Sequence, residues 1–492
     1  MGMKLGDLLG MDAGGAWPGE MPIAGLTADS RAVQPGYLFA ALSGSAADGA
    51  KFVGDAVARG AAAVLVGETA GLDVPGHIAV IRDANPRRRL ALLAARFYGR
   101  QPEVVAAITG TNGKTSVASF LRQIWEHDGR QAASLGTIGL VHHGREEPLS
   151  HTTPDPVAIH AALARLEREG VSHLALEASS HGLAQHRLDG VCFAAGAFTN
   201  ITRDHLDYHP TFEDYLSAKL RLFCELLQPG QPAVIDLDSP GGSEALQAAT
   251  TRGLQPFTTG LRGQALRLTA TERDGFAQIL DLTFAGRAWR VRIPLAGHFQ
   301  AANVLAAAGL ALCLGSVPER VFAALETLKG ARGRLDLAGH AASGAPIFID
   351  YAHTPDALEN ALRALRPYAG GGLCLVFGCG GDRDRGKRPQ MGAAAMRNAD
   401  RIIVTDDNPR SENPAAIRAA ILTEAPGAEE IADRQLAITA AIAGLGKGDV
   451  LLIAGKGHET GQIVGTTVIP FSDHDAVAIA LNGPGDKVVR DA

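Results

Sequence analysis

The sequence predicts an α/β protein of three domains. Three observations carry that expectation. The chain has 492 residues, which at roughly 150 residues per domain corresponds to about three. Short apolar strand patterns alternate with helical ones along its length, as in parallel sheets covered by helices. A Gly-Lys-Thr run at 113–115 stands between one such strand and one such helix.

Composition narrows the class. Lys and Arg number 46 and Asp and Glu 52, a net charge of −6. A mildly acidic chain does not suit a general polyanion binder, so no nucleic-acid partner is expected. With 46% hydrophobic and 20% charged residues the chain is not disordered throughout. No apolar run reaches the roughly 18–20 residues that span a bilayer, and MGMKLGDLLGMDAGG lacks the basic-then-apolar order of a signal peptide. The five cysteines, Cys192, Cys224, Cys313, Cys374 and Cys379, are odd in number and scattered. Neither a disulfide framework nor a zinc site fits, and a reducing cytoplasm is expected.

The elements follow in order. Residues 1–100 read as a small α/β unit, with strands at LFAAL (38–42) and AAAVLVG (61–67) and helices at 51–60 and after Ala84. A Pro-bearing linker places a boundary near 100. Residues 101–335 form the second segment. VVAAITG (104–110) is an apolar strand ending in glycine, and a helix runs from about Lys114 to Asp128. HLALEAS (173–179), AAGAFTN (194–200) and AVIDLD (233–238) are further strands of a parallel sheet of the phosphate-loop type. From 265 to 295, alternation around Gly-containing turns predicts an antiparallel appendage, and an Ala-rich helix covers 298–314. Residues 336–492 read as a Rossmann-like domain, with strands at 346–352, 373–379, 401–407 and 450–457 and helices near 356–366, 388–398 and 413–425. Ligands of such sheets favour the crevice at the carboxyl ends of the strands.

ITGTNGKTS (108–116) has the makings of a phosphate loop. Gly110 and Gly113 let backbone N–H groups turn toward an anion, and the helix that follows adds its positive end. Thr111, Asn112 and Ser116 complete the cradle. Lys114 can reach the β- and γ-phosphates of ATP, and the Thr115 hydroxyl can bind Mg²⁺. The usual consensus wants a glycine where Ile108 stands, so the loop is a variant.

The variant resembles the ATP loop of the Mur ligase family, which includes the peptidoglycan amino-acid ligases and folylpolyglutamate synthetase. EASSHGLAQHRL (177–188), TNITRDHLDYHPTFEDYLSAKLRLF (199–223), GHFQAANVLAA (297–307), GRLD (333–336) and DYAHTPDAL (350–358) resemble family segments in the expected order. The resemblance implies an ATP-dependent, amide-forming ligase: a carboxylate attacks the γ-phosphate, and an amine attacks the resulting acyl phosphate. It places Glu177 and Thr115 at one magnesium ion and His205 at a second. It implies that Lys219 is carbamylated, exchanging a repelled ammonium for an anion that supports the metal; this requires an amine whose pKa burial has lowered. Lys114, Lys219 and His205 are the catalytic set. Asn303 is implied at the adenine, and Arg334, Asp350 and His353 at the ribose and phosphates. ATP is then clasped by two domains that close on it. Taken alone, Glu177, His205 and His353 are also ordinary strand-end and surface residues, and Lys219 an ordinary helix lysine.

DNPR at 407–410 looks like the signature of members that add meso-diaminopimelate. Its far end carries a second ammonium and a second carboxylate. Arg410 can take that carboxylate in a planar fork, with Arg383 as a second guanidinium. Asp407, Asn408, Pro409 and Glu459 shape the slot, and Gly455 allows close backbone approach. The resemblance implies UDP-N-acetylmuramoyl-L-alanyl-D-glutamate as carboxyl donor. Ser30 in TADSR and the loop 44–47 are implied at its UDP part, and Thr152, Thr153, Ser179, Gln185 and Arg187 at the muramoyl-peptide. His151 stands where the family pattern has Asn. The expected partners are small molecules, with no membrane anchor and a monomeric chain. The competing readings are a sister ligase using L-lysine, a folylpolyglutamate synthetase, and a nucleotide-sensing protein without turnover.

Overall fold

The computed structural model describes residues 2–10, 19–44, 48–71, 74–149, 151–205 and 208–482. These form two compact units, one of residues 1–114, 125–258 and 309–316, the other of 115–124, 259–308 and 317–492.

Two larger sheets lie in the first unit, beside a two-stranded ribbon of Met3–Lys4 and Pro22–Ile23. Strands β1 (Gly25–Thr27), β2 (Tyr37–Ala40), β3 (Ala63–Gly67) and β4 (Ala79–Asp83) pair in parallel in that order. The long helix α1 (Pro86–Tyr98) follows, opened by Pro86 and the Asn85 side-chain cap and closed by left-handed Gly99. Its Leu90, Leu93 and Ala94 share a core with Leu26, Leu38 and Leu65 of the sheet.

The second sheet contains β5 (Val104–Thr109), β6 (Ala132–Gly136), β7 (Gly139–His142), β8 (Arg145–Glu147), β9 (His173–Glu177), β10 (Ala195–Phe198) and β11 (Pro232–Asp236), in the order β8-β7-β6-β9-β5-β10-β11. β6, β9, β5, β10 and β11 are parallel. The β6–β7–β8 meander is antiparallel. Register fixes the site: Glu177 pairs with Ile108 and Phe198 with Thr109. Glu177, the loop after Thr109 and the segment after Phe198 therefore leave the sheet side by side at its carboxyl edge. Val105, Leu135, Leu163, Leu176, Phe198, Tyr215 and Phe223 pack as one buried core beneath that edge.

In the second unit the predicted antiparallel appendage is present as β12 (Leu266–Asp274), β13 (Ala277–Phe284) and β14 (Arg287–Ile293). The Ala-rich helix runs Phe299–Cys313. A six-stranded sheet has β15 (Asp336–His340), β16 (Pro346–Asp350), β17 (Leu373–Phe377), β18 (Arg401–Val404) and β19 (Val450–Ala454) in the order β15-β16-β19-β17-β18, with the two-residue strand Glu429–Glu430 at its edge. β15 runs antiparallel to β16, while the other pairs are parallel. Asp350 pairs with Ala454 and Phe377 with Val404. The segments beginning at Tyr351, Gly378, Thr405 and Gly455 thus emerge together. The hairpin β20 (Gly461–Val464) and β21 (Thr467–Pro470) was not anticipated from the sequence.

Candidate functional site

The glycine loop joins β5 to the helix α2 (Lys114–His127). Gly110 has φ 149° and Gly113 φ 87°. A Cβ at Gly110 would overlap the Thr199 hydroxyl, so only glycine fits there. The segment after β10 holds the loop open. Thr111 N donates to Asn200 O at 2.9 Å, Asn112 N to Asn200 Oδ1 at 2.9 Å, and Thr199 Oγ1 to Asn112 O at 2.6 Å.

Two lysines meet at this loop. Lys114 Nζ donates to Gly110 O at 2.8 Å and Thr111 O at 2.9 Å. Lys219, on the helix Phe212–Arg221, is 1% exposed and donates to the same Gly110 O at 2.7 Å. Its Nζ also sits 4.4 Å from the centroid of the Tyr215 ring. Burial, and then the charge of Lys114, hold the Lys219 amine well below its ordinary pKa. Burial likewise pushes the Tyr215 phenol up, so it stays protonated and shares a 2.9 Å hydrogen bond with Thr111 Oγ1.

Glu177 is 1% exposed at the end of β9. Its carboxylate accepts from Thr137 N at 2.8 Å and Thr137 Oγ1 at 3.2 Å. The threonines of the donor-substrate set join this network. Thr137 Oγ1 and Thr152 Oγ1 lie 3.0 Å apart, and Thr153 Oγ1 donates to Glu177 O at 2.8 Å and accepts from Ser179 N at 3.1 Å. Arg187 donates to Thr153 O at 2.6 Å and to Gln185 Oε1 at 2.8 Å. Gln185 in turn donates to Tyr208 OH at 3.0 Å.

His205 lies in a group of rings, 4.9 Å from His181 and 6.0 Å from Tyr215, with His209 5.2 Å from Tyr215. Its φ of 53° is a strained value for a non-glycine residue. Its N–H donates to Asp204 Oδ1 at 2.8 Å. Leu206 and Asp207 of the same motif lie outside the described residues, as do Ser45, Ala46 and Ala47 of the loop expected at the UDP part. Ser30 is half-buried in a short helical turn capped by Asp29. His151 is exposed.

In the second unit, Thr115, Ser116 and Asn303 are buried, and Asn303 donates to Gln300 Oε1 at 3.0 Å. Asp350 ends β16 and accepts from Leu335 N at 2.6 Å and Ala352 N at 2.7 Å. Burial raises its pKa, and the nearby Arg334 opposes that rise. Arg334 lies over the Tyr351 ring, 4.8 Å from its centroid. His353 Nδ1 is 2.9 Å from Tyr351 O, and the ring stays exposed.

The DNPR segment follows β18. Asp407, Asn408 and Pro409 are buried, and Arg410 is half-buried at φ 51°. Arg410 Nη1 donates to Gly381 O at 2.8 Å and Arg410 N to Ile463 O at 3.0 Å. Asn408 Nδ2 donates to Glu459 Oε2 at 2.8 Å. Gly455 has φ 112°, and a Cβ there would come within 2.7 Å of Asp407 Oδ2. The 380–388 loop is clamped onto this segment through Glu412, which accepts from Arg388 at 2.8 Å and from Asp382 N at 2.7 Å. Those contacts hold the Glu412 carboxyl down at about 2. The two arginines expected at the acceptor differ in setting, Arg410 half-buried and Arg383 at the surface. Arg383 is exposed and donates to Asp382 O at 3.1 Å, while Arg388 is the buried arginine of that loop.

Three family models cover most of the chain: "Mur ligase family, catalytic domain" over 22–107, "Mur ligase middle domain" over 108–311 and "Mur ligase, glutamate ligase domain" over 333–457. The chain belongs to the Mur ligase family. It is 58% identical to a UDP-N-acetylmuramoyl-L-alanyl-D-glutamate–2,6-diaminopimelate ligase of Bradyrhizobium diazoefficiens, over 97% of this chain and 99% of the relative. A solved structure of a ligase of that same name is 33% identical with a TM-score of 0.72, covering 99% of this chain and 100% of its own. The fold also matches a MurF ligase from Thermotoga maritima solved with ADP, at 18% identity and a TM-score of 0.61 over 93% and 96% of the two chains.

Sequence reading of this Mur ligase missed several residues that the structure brings to the sites. Thr137, which holds both oxygens of Glu177, sits in a short Gly-Thr-Ile-Gly turn with no chemical signature. Tyr215 lies one helical turn before Lys219, a spacing that could have flagged it. Lys456, between Gly455 and Gly457, is fully buried against Asn408 and Glu459. Cys374 and Cys379 are buried with thiols pushed up to about 11 and about 12, which fits packing and not redox chemistry. No helix among the described residues is long and apolar enough to cross a membrane.

Proposed function

We propose that this Mur ligase adds meso-diaminopimelate to UDP-N-acetylmuramoyl-L-alanyl-D-glutamate at the expense of ATP, an amide-forming step of peptidoglycan precursor synthesis. The observation that carries the reading is the slot at the ends of β16, β18 and β19, where Lys456 faces the Asp407 and Glu459 carboxylates, Asn408 donates to Glu459, and the Arg410 guanidinium lies beside Asn408 O and Gly381 O. A distal zwitterion matches that arrangement. L-Lysine has no carboxylate for Arg410 and would leave it without its partner. The high identity to ligases of this name supports the same substrates.

Three sequence segments serve three tasks in this reading: 1–100 the UDP part, 101–335 ATP, and 336–492 the amino acid. The loop suits a triphosphate, since Gly110 lets its backbone pass against Thr199 where a Cβ would not fit, and Lys114 donates to loop carbonyls that phosphate oxygens would replace. Asn303 serves the adenine, and Arg334, Asp350 and His353 the ribose and phosphates. Among the described residues no group of three His, Cys, Asp or Glu side chains is arranged to hold a metal. The oxygen donors Glu177 and Thr115 with His205 instead suit Mg²⁺, which completes its shell from phosphates and water. When bound, that ion supplies positive charge that screens the triphosphate from an approaching carboxylate.

The reaction then balances as follows. The dipeptide carboxylate attacks the γ-phosphorus and ADP leaves. The diaminopimelate amine attacks the acyl phosphate carbonyl, loses a proton, and phosphate departs with one oxygen of the original carboxylate. Lys114 stabilises the charge moving onto the bridging oxygen. Thr152, Thr153, Ser179, Gln185 and Arg187 hold the muramoyl-peptide beside Glu177, and Ser30 the UDP end. Lys219 reacts with carbon dioxide as the free amine and gives up a proton, leaving a carbamate near Tyr215. The chain works as a monomer in the cytoplasm, where ATP is available and its cysteines stay free.

The test supplies ATP, the UDP-dipeptide and a panel of amino acids, and reads the product by mass. The expected product is the diaminopimelate adduct, formed only with all three present. Preferential formation of the lysine adduct would transfer the chain to the sister activity.

A further inference from the structure

Lys456 is fully buried, and its ammonium is spent on the acceptor slot. Nζ donates to Asn408 Oδ1 at 3.0 Å and to Glu459 Oε2 at 3.1 Å, and lies 3.7 Å from Asp407 Oδ1. Ile463 N donates to the same Asn408 Oδ1 at 2.9 Å. With that oxygen held from two sides, the Asn408 amide can point its Nδ2 only toward Glu459, which it reaches at 2.8 Å. One lysine therefore fixes the amide orientation of Asn408 and the rotamer of Glu459 together. Arg434, also fully buried, pairs with Asp473 at 2.7 Å and donates to Ala454 O at 3.0 Å, so this neighbour is neutralised within its own pair.

The charge count gives the lysine a second task. Asp407 and Glu459 bring two negative charges, and Arg410 one positive. Without Lys456 the slot would carry a net negative charge and favour an acceptor whose far end is only an ammonium. With it, the four groups sum to zero, which matches a far end bearing one ammonium and one carboxylate.

We infer that Lys456 is a positioning residue that sets acceptor specificity, orienting Asn408 and Glu459 and balancing the slot for a distal zwitterion. The inference rests on the acceptor assignment made above. Lys456→Met removes the charge, and Lys456→Gln retains a donor for Asn408 without it.

Both variants are compared with wild type for ATP, UDP-dipeptide, meso-diaminopimelate and L-lysine. Lys456→Met should raise KM for diaminopimelate by about 10- to 100-fold, the loss expected for a hydrogen bond to a charged group. The KM values for ATP and UDP-dipeptide should stay within about twofold, because uniform loss of folded enzyme lowers kcat alone. The kcat/KM ratio of diaminopimelate to L-lysine should fall at least about tenfold. Lys456→Gln should keep more of the KM and lose the same discrimination.

An unchanged ratio, or a loss confined to kcat, would overturn the inference. If the single variants do not fold, Lys456→Met combined with Glu459→Gln removes one charge of each sign and should fold with discrimination partly kept; failure of all three to fold also overturns it. A wild-type enzyme that ignores diaminopimelate refutes the acceptor assignment instead, before any variant is compared.

Discussion

Lys219 and Lys114 place two amines on one carbonyl oxygen, that of Gly110. Two ammonium ions so close repel, and the buried one yields its proton more readily. That is the condition for carbamylation, so Lys219→Ala should lose most turnover, and a small added carboxylate should restore part of it. The check is the rate against formate or acetate concentration; no recovery at any concentration would remove the carbamate from the account. Arg410→Lys is the matching test at the acceptor. The guanidinium already donates one N–H to Gly381 O, which leaves its remaining donors to bind a carboxylate in a plane. A point charge cannot do both. KM for diaminopimelate should rise about tenfold or more, equivalent to about 1.4 kcal/mol, with KM for ATP unchanged. At this scale the sequence was informative where the chemistry is local. Gly-Lys-Thr and Asn-Pro-Arg are contiguous, the first between a strand and a helix and the second after a strand. Thr137 and Lys456 were illegible because what matters about them is a contact 40 or more residues away.

The elements carry the sites by register. Glu177 reaches the loop because β9 and β5 are neighbours with Glu177 opposite Ile108. A slip of one residue would turn Glu177 to the other face of the sheet. The loop itself tolerates little change. Gly110→Ala must fit a Cβ against Thr199 at a φ that L-residues avoid, a strain of about 1–3 kcal/mol. ATP affinity should drop sharply while the melting temperature falls by only a few degrees; calorimetric titration and a thermal melt separate the two.

The acceptor loop has a pH signature. Glu412 has its carboxyl lowered from its usual 4.5 to about 2 by Arg388 and Asp382 N. A depressed acid contributes stability fully above the unfolded value and loses it as pH falls through the folded one. The clamp should therefore be intact at neutral pH and weaken between about pH 4.5 and 2. Glu412→Gln should flatten that part of the stability–pH curve, measured by denaturant midpoints across the range. The strand at 104–109 was legible as an apolar run ending in glycine, and the helix at 299–313 from its Ala-rich composition. The β6–β7–β8 meander and the 461–470 hairpin were not, because three- to five-residue strands hold too few positions for alternation to register.

At the level of the molecule, two constructions divide the work. One is a loop on whose Gly110 carbonyl Lys114 and Lys219 meet, beside a Glu177 network that reaches Thr152 and Thr153. The other is the cluster around buried Lys456, where Asp407, Asn408 and Glu459 meet, proposed above to take an amino acid with two polar ends. Neither needs a protein nucleophile, because the substrate carboxylate is activated directly. Direct attack of that carboxylate on ATP fixes where one oxygen atom goes. With the glutamate carboxylates of the UDP-dipeptide labelled with oxygen-18, the phosphate released in a diaminopimelate-dependent turnover should carry one labelled oxygen per molecule of product. Unlabelled phosphate, formed at the same rate as the product, would show that ATP is cleaved without ever bonding to the carboxylate, and would contradict the account.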